Sequence, residues 1–180
     1  MKSPLKKRVA AVITPVFEHE SLTADGIQSL KETGDYFVSN NIVALCSASD
    51  RGAEWLADTI VAGGGSVAAF SPAANKKEQR SVYREETDWD LFTVFTGAGG
   101  KHHIEDILRS ADVLLLPIFS KSLLPVIGQA AQVGVPVAIL SETKKEEVVK
   151  MTWSVVDTVF SKEKIFVAED LKTVFSLIRF

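Results

Sequence analysis

Short apolar runs of strand length alternate along this chain with longer amphipathic stretches, and the runs hold too few polar residues to face water on either side. Strands buried on both faces belong to a parallel sheet covered by helices. The pattern therefore predicts a doubly wound α/β domain, a mainly parallel central sheet flanked by helices. The expected strands are Arg8–Thr14, Asn41–Cys46, Ser66–Phe70, Leu91–Phe95, Asp112–Leu116 and Val135–Leu140, with Lys164–Val167 closing an edge. No repeat, linker or low-complexity tract interrupts them, so residues 1–180 read as a single domain.

The helices between the strands have recognisable ends. Thr23 is placed to cap a helix over Asp25–Ser39, and the next, Asp50–Ala62, stops at Gly63-Gly64-Gly65. His102–Ser110 is a third. Ser122 is expected to cap a fourth, with Pro125 in its first turn and Gly134 at its end. Glu146–Val156 and Glu169–Ile178 follow. Ser71–Asp90, rich in charge, reads as a solvated loop or a short surface helix.

Composition removes several classes of function. A net charge of -3, from 20 basic and 23 acidic residues, argues against a protein built to coat duplex DNA or an anionic membrane. No run approaches the ~20 apolar residues of a membrane-spanning helix, and the start lacks a signal-peptide pattern, so no membrane association and a cytoplasmic location are expected. The single cysteine, Cys46, cannot form an internal disulfide, and no Cys or His cluster has metal-ligand spacing. Neither a metal nor a cofactor is expected.

In an open parallel sheet, ligands bind at the carboxyl ends of the strands, where helix starts present free amides. Three loops there join small residues to a cation, which suits a phosphate. The candidate ligands to it are Ser47, Ser49, Arg51 and Gly52 after the second strand, Gly97, Gly99, Gly100 and Lys101 after the fourth, and Ser120, Lys121 and Ser122 after the fifth. None has the spacing of a Walker A loop or of GxGxxG. Tight turns and helix caps would use the same residues.

Catalytic constellations are sparse. His102 and His103 are adjacent, so on a helix they diverge by about 100° and cannot chelate together; they read as a surface helix start. Cys46 reads as a small core residue, and neither GxSxG nor HExxH occurs. Asp50 and Glu54 are the carboxylates nearest the expected cleft, and the helix dipole accounts for Glu54.

Taken in order, these segments resemble the Rossmann-like core of the DprA/Smf DNA-processing proteins and, more distantly, the LOG-like "lysine decarboxylase" family. Ser49-Asp50-Arg51-Gly52-Ala53-Glu54-Trp55-Leu56-Ala57-Asp58, the glycines at 63–65 and Ser66–Phe70 look like the family's ArGIDxxAH...GGxTIAVL segment. Arg51, Gly52 and Ala57 match, while Glu54 replaces the Asp and Asp58 the His. Lys101-His102-His103-Ile104 stands where that family has RNRI, Ser120-Lys121-Ser122-Leu123 where it has SGSL, and Gly134–Ala138 where the strand before its PG turn lies. The similarity runs over about residues 8 to 141. Both arginines of RNR are gone, and Lys121 replaces a glycine. The LOG-like PGGxGTxxE signature would fall on Pro117–Ser122, where its paired glycines and glutamate are missing.

The resemblance implies a Rossmann-like domain that binds a nucleotide or single-stranded DNA at the carboxyl edge, without catalysis, through Arg51, Lys101 and Lys121. A small-nucleotide sensor or carrier is the alternative that better fits the acidic charge. A nucleotide phosphoribohydrolase ranks third, with Glu54 its sole candidate carboxylate. Edge strands, or the helix carrying Ile107 and Leu108, are where two copies would pair into a homodimer by analogy with the resembled family.

Overall fold

The computed structural model describes residues 7–15, 22–82, 93–97, 103–152 and 164–178. Seven strands form one sheet: β1 (Arg8–Val12), β2 (Ile42–Ser47), β3 (Ser66–Ser71), β4 (Thr93–Phe95), β5 (Val113–Leu116), β6 (Val137–Leu140) and β7 (Ile165–Ala168). Their spatial order is β4-β3-β2-β1-β5-β6-β7, and every neighbouring pair is parallel. The chain works outward from β1 to β4, then returns to lay β5 on the other side of β1. That reversal makes the β1–β5 boundary the switch point of the doubly wound fold.

Alternation along the strands divides the core in two. Ala10, Val12, Ala44, Cys46, Val113 and Leu115 face α1 (Ala24–Ser39), α2 (Gly52–Ala62) and α7 (Leu171–Ile178), meeting Leu30, Phe37, Leu56, Ile60, Val174 and Phe175. Ala11, Leu45, Leu114, Leu116 and Ile139 face the opposite layer of α4 (His103–Arg109), α5 (Leu124–Val133) and α6 (Lys145–Thr152). All four residues of β5 are buried, as expected for the most apolar run. Ile107 and Leu108 are wholly buried in this second core, so that helix does not offer them to a second copy of the chain.

The helix ends follow side-chain chemistry. The Thr23 hydroxyl accepts the Gly26 amide at 3.1 Å and so caps α1 as anticipated. Gly134, at φ +79°, ends α5 in the left-handed region that a side chain rarely adopts. Ser122 does not cap this helix. Ser120 caps a 3-10 turn over Lys121–Leu123, and α5 follows at Leu124 with Leu123 at its N-cap and no side-chain cap of its own. Within the charged stretch, α3 spans Lys76–Val82, and residues 83–92 lie outside the described chain.

Helices α1 and α2 pack closely because Gly34 lacks a side chain. A Cβ there would sit 2.8 Å from Cβ of Thr59. Alanine at an open helical position would gain up to about 1 kcal/mol over glycine, but forced overpacking costs typically 1–3 kcal/mol. Gly34→Ala is therefore expected to lower the urea midpoint of unfolding at unchanged slope; a raised midpoint would show that the two helices separate freely.

Candidate functional site

The switch-point edge is organised by one carboxylate. The side chain of Asp50, just ahead of α2, reaches back to the end of β1, where it accepts the Thr14 amide at 2.8 Å and the Thr14 hydroxyl at 2.5 Å. It also accepts the amides of Gly52 at 3.0 Å and Ala53 at 3.3 Å. The first amides of α2, which an external anion would use, thus hold the chain's own carboxylate. Glycine is required at 52 because a Cβ there would collide with the Thr14 side chain. Burial pushes the Asp50 carboxyl up to about 6 and outweighs the four hydrogen bonds, which act in the opposite direction.

Beside this knot, the end of β2 carries a hydroxyl pair and an imidazole. Ser47 Oγ lies 2.7 Å from Ser49 Oγ and 3.0 Å from Nε2 of His103, the first residue of α4, and it accepts the Ser49 amide at 3.2 Å. Ser47 and His103 are buried, whereas Ser49 is exposed. This corrects the expectation of a surface histidine, because α4 turns that residue inward against β2. His102 lies outside the described residues. Cys46 is fully buried, and burial together with the charge of Asp50 holds its thiol well above the ordinary range, so it stands as the expected core residue and not as a nucleophile.

Of the other anticipated ligands, Arg51 is exposed at the start of α2, and Lys121 and Ser122 are exposed before α5. Only β1 separates the strands β2 and β5 that lead into these loops. The strands that lead into these loops are thus two strand spacings, about 10 Å, apart. Gly97 follows β4, two strands beyond β2 in the other direction, at φ +63°. Gly99, Gly100 and Lys101 lie outside the described residues. Glu54 is exposed on the first turn of α2.

A cavity of about 660 Å³ opens on the other flank of the edge, between α1 and the segments that follow β5, β6 and β7. Its apolar wall comes from Ile118, Phe119, Leu140 and Leu171, but its charged lining is Asp25, Glu32, Glu142, Glu169 and Asp170 against Lys172 alone. Sequence reading missed it because these carboxylates come from three separate segments with no shared spacing. Among the described residues, no three His, Cys, Asp or Glu side chains form a group that could hold a metal ion, and no helix is long and apolar enough to cross a membrane.

No family model matches the chain, and neither does any curated relative. Solved structures do share its fold. The molybdenum cofactor binding protein of Rippkaea orientalis superposes with a TM-score of 0.72 at 16% identity, over 98% of each chain. The Moco carrier protein of Chlamydomonas reinhardtii gives 0.67 at 16% identity, over 97% of this chain and 96% of that one. DNA processing protein A of Helicobacter pylori, whose structure concerns single-stranded DNA binding, gives 0.57 at 11% identity, over 96% and 80%. The fold is therefore Rossmann-like, of a kind that DprA also uses.

The Asp50 knot has a pH signature. Its carboxyl is raised in the folded protein to about 6 from 3.8, so the native state holds this proton more tightly than the unfolded chain does. The contribution to stability is full below pH ~4 and is lost as pH rises through about 6. Asp50→Asn removes that window and turns an amide NH2 toward the Thr14 N–H, leaving a donor unmatched at a cost of about 1–3 kcal/mol. Urea unfolding from pH 4 to 7 is expected to show the gap between wild type and variant narrowing as pH rises; a constant gap would place the titration elsewhere.

Proposed function

We propose that the protein is a cytoplasmic binding or carrier domain for a compact phosphate-bearing ligand of nucleotide size, held at the carboxyl edge between the loops after β2 and β5. The observation that carries this reading is the division of charge along that edge. Arg51 and Lys121 are exposed on loops flanking β1, while carboxylates gather where β6 and β7 end. A ligand confined to the β2–β1–β5 stretch meets two cations carried on loops whose strands are about 10 Å apart. A longer polyanion running across the whole edge would meet Glu142, Glu169 and Asp170 and be repelled. Full-length likeness in fold to a molybdenum cofactor binding protein and a Moco carrier protein supports a small-molecule carrier. Single-stranded DNA is the second reading, supported by the likeness to DNA processing protein A and by the matching Arg51 and Gly52.

Because Asp50 already occupies the first amides of α2, the Arg51 side chain supplies the attraction on that side. An exposed ion pair contributes ~1 kcal/mol or less, whereas a hydrogen bond to a charged group contributes about 1.5–3 kcal/mol. Replacing Arg51 or Lys121 with alanine is therefore expected to weaken a mononucleotide about tenfold or more, with Lys76→Ala and Lys77→Ala on α3 nearly neutral. Titrations with a mononucleotide and a short single-stranded oligonucleotide, at about 50 and 200 mM salt, separate the two readings, since multi-phosphate binding weakens steeply with salt. Tight, salt-sensitive oligonucleotide binding would favour DNA. Equal losses at α3 and at the edge would mean diffuse attraction and no site.

A further inference from the structure

The hydroxyl pair at the end of β2 is built like a proton relay. Ser47 Oγ accepts the Ser49 amide, which leaves its own single proton to give. A neutral imidazole presents one acceptor nitrogen, and Nε2 of His103 lies 3.0 Å away. In the tautomer whose Nε2 is that acceptor, Ser47 gives its proton to His103 and is left to accept the hydroxyl proton of Ser49 across 2.7 Å. The base end of the chain is out of solvent, with His103 7% and Ser47 3% exposed, while Ser49 stands in solvent. The same turn occurs elsewhere in the protein without an imidazole. Ser122 gives its amide to Ser120 Oγ at 3.4 Å and its hydroxyl to the same atom at 3.0 Å, and that pair is bonded to no histidine among the described residues. The chain thus carries its own control for what the histidine adds.

We propose that Ser49 is a nucleophilic serine, activated through Ser47 by His103, and that the protein cleaves small activated carboxylic esters by way of an acyl-Ser49 intermediate. This goes beyond binding and adds a reactive group where the sequence alone suggested no catalysis. Ser49 Oγ attacks the ester carbonyl carbon and forms the new C–O bond as its proton passes to Ser47 Oγ and the Ser47 proton passes to Nε2 of His103. The imidazolium returns its proton to Ser47 Oγ as Ser47 gives its own to the departing alkoxide, the ester C–O bond breaks, and the alcohol leaves. Water then attacks the acyl carbon and passes a proton to Ser47 Oγ as the Ser47 proton goes to His103; when the bond from the acyl carbon to Ser49 Oγ breaks, a proton comes back from the imidazolium through Ser47 to Ser49 Oγ, and the carboxylic acid leaves with Ser49 restored. Ser49 is the catalytic residue; Ser47 and His103 act through it as positioning residues.

The test uses the whole protein with p-nitrophenyl acetate, following release of p-nitrophenolate and locating the trapped acetyl group by peptide mass spectrometry, with a fluorophosphonate probe in parallel. Both reagents are expected to modify Ser49 and to leave Ser120 and Ser122 unmodified. Ser49→Ala, at an exposed position, is expected to keep the melting temperature and to lose the adduct. His103→Gln and Ser47→Ala are expected to slow acylation about 100-fold, and Ser47→Thr, which keeps the hydroxyl, to recover most of the rate. Modification of Ser120 or Ser122 to the same extent, or an undiminished rate in folded His103→Gln, would overturn the proposal. Should His103→Gln fail to fold, the adduct map of the wild-type protein decides the matter. Arg51→Ala and Lys121→Ala, which probe phosphate binding, leave this relay intact, so the two readings fail separately.

Discussion

A buried carboxylate at the junction of β1 and α2 is the interaction on which the carboxyl edge depends. Asp50 takes both backbone and side-chain donors of Thr14 and two amides of the first turn of α2, so it ties together segments 36 residues apart in the chain. Without it, the Thr14 amide and hydroxyl and the Gly52 amide would lose their buried acceptor, each at a cost of about 1–3 kcal/mol, while the Ala53 amide would keep its bond to the Asp50 carbonyl. Its neighbours in sequence, Ser49 and Arg51, flank it, one hydrogen-bonded to Ser47 and the other at the start of α2. The contest between burial and hydrogen bonding at this group ends in favour of burial, which pushes the carboxyl up from 3.8 to about 6.

The edge that this knot organises has two chemically different flanks. On the β2 side are hydroxyls, a histidine and a guanidinium; over β6 and β7 lies an acid-lined hollow. A parallel sheet produces this division readily, because every strand delivers its following loop to the same side. The order in which strands are laid down then decides which loops become neighbours. Here the reversal after β4 brings the loop of β5 within reach of the loop of β2, although more than 60 residues separate Arg51 from Lys121 in the chain.

Most of the sheet was legible from the sequence because its strands are buried on both faces and so read as unbroken apolar runs, Val113–Leu116 above all. Helix ends were legible where a single residue type determines them, as with Thr23 and Gly134. The start of α5 was not, since Ser122 looks like a cap in the sequence but falls inside a 3-10 turn that precedes the helix. The partnership of His103 with Ser47 spans 56 positions and has no local signature. Periodicity could mark which face of α4 is apolar, and yet a polar residue turned inward onto a serine looks, in one dimension, like one turned outward to water.

Two aromatic contacts join α1 to α7. Phe175 of α7 stacks on Tyr36 of α1, with ring centroids 5.4 Å apart, and meets Phe37 edge-on at 6.1 Å. The face of the sheet carrying α1 and α2 is completed by residues from α7, far along the sequence. As the polypeptide emerges during synthesis, β1, α1, β2 and α2 can assemble early, but one flank of Phe37 stays uncovered until α7 has been made. Contacts of such long sequence separation are the slow part of folding. The interval before α7 docks is therefore when a nascent chain of this protein is most exposed to association with its neighbours.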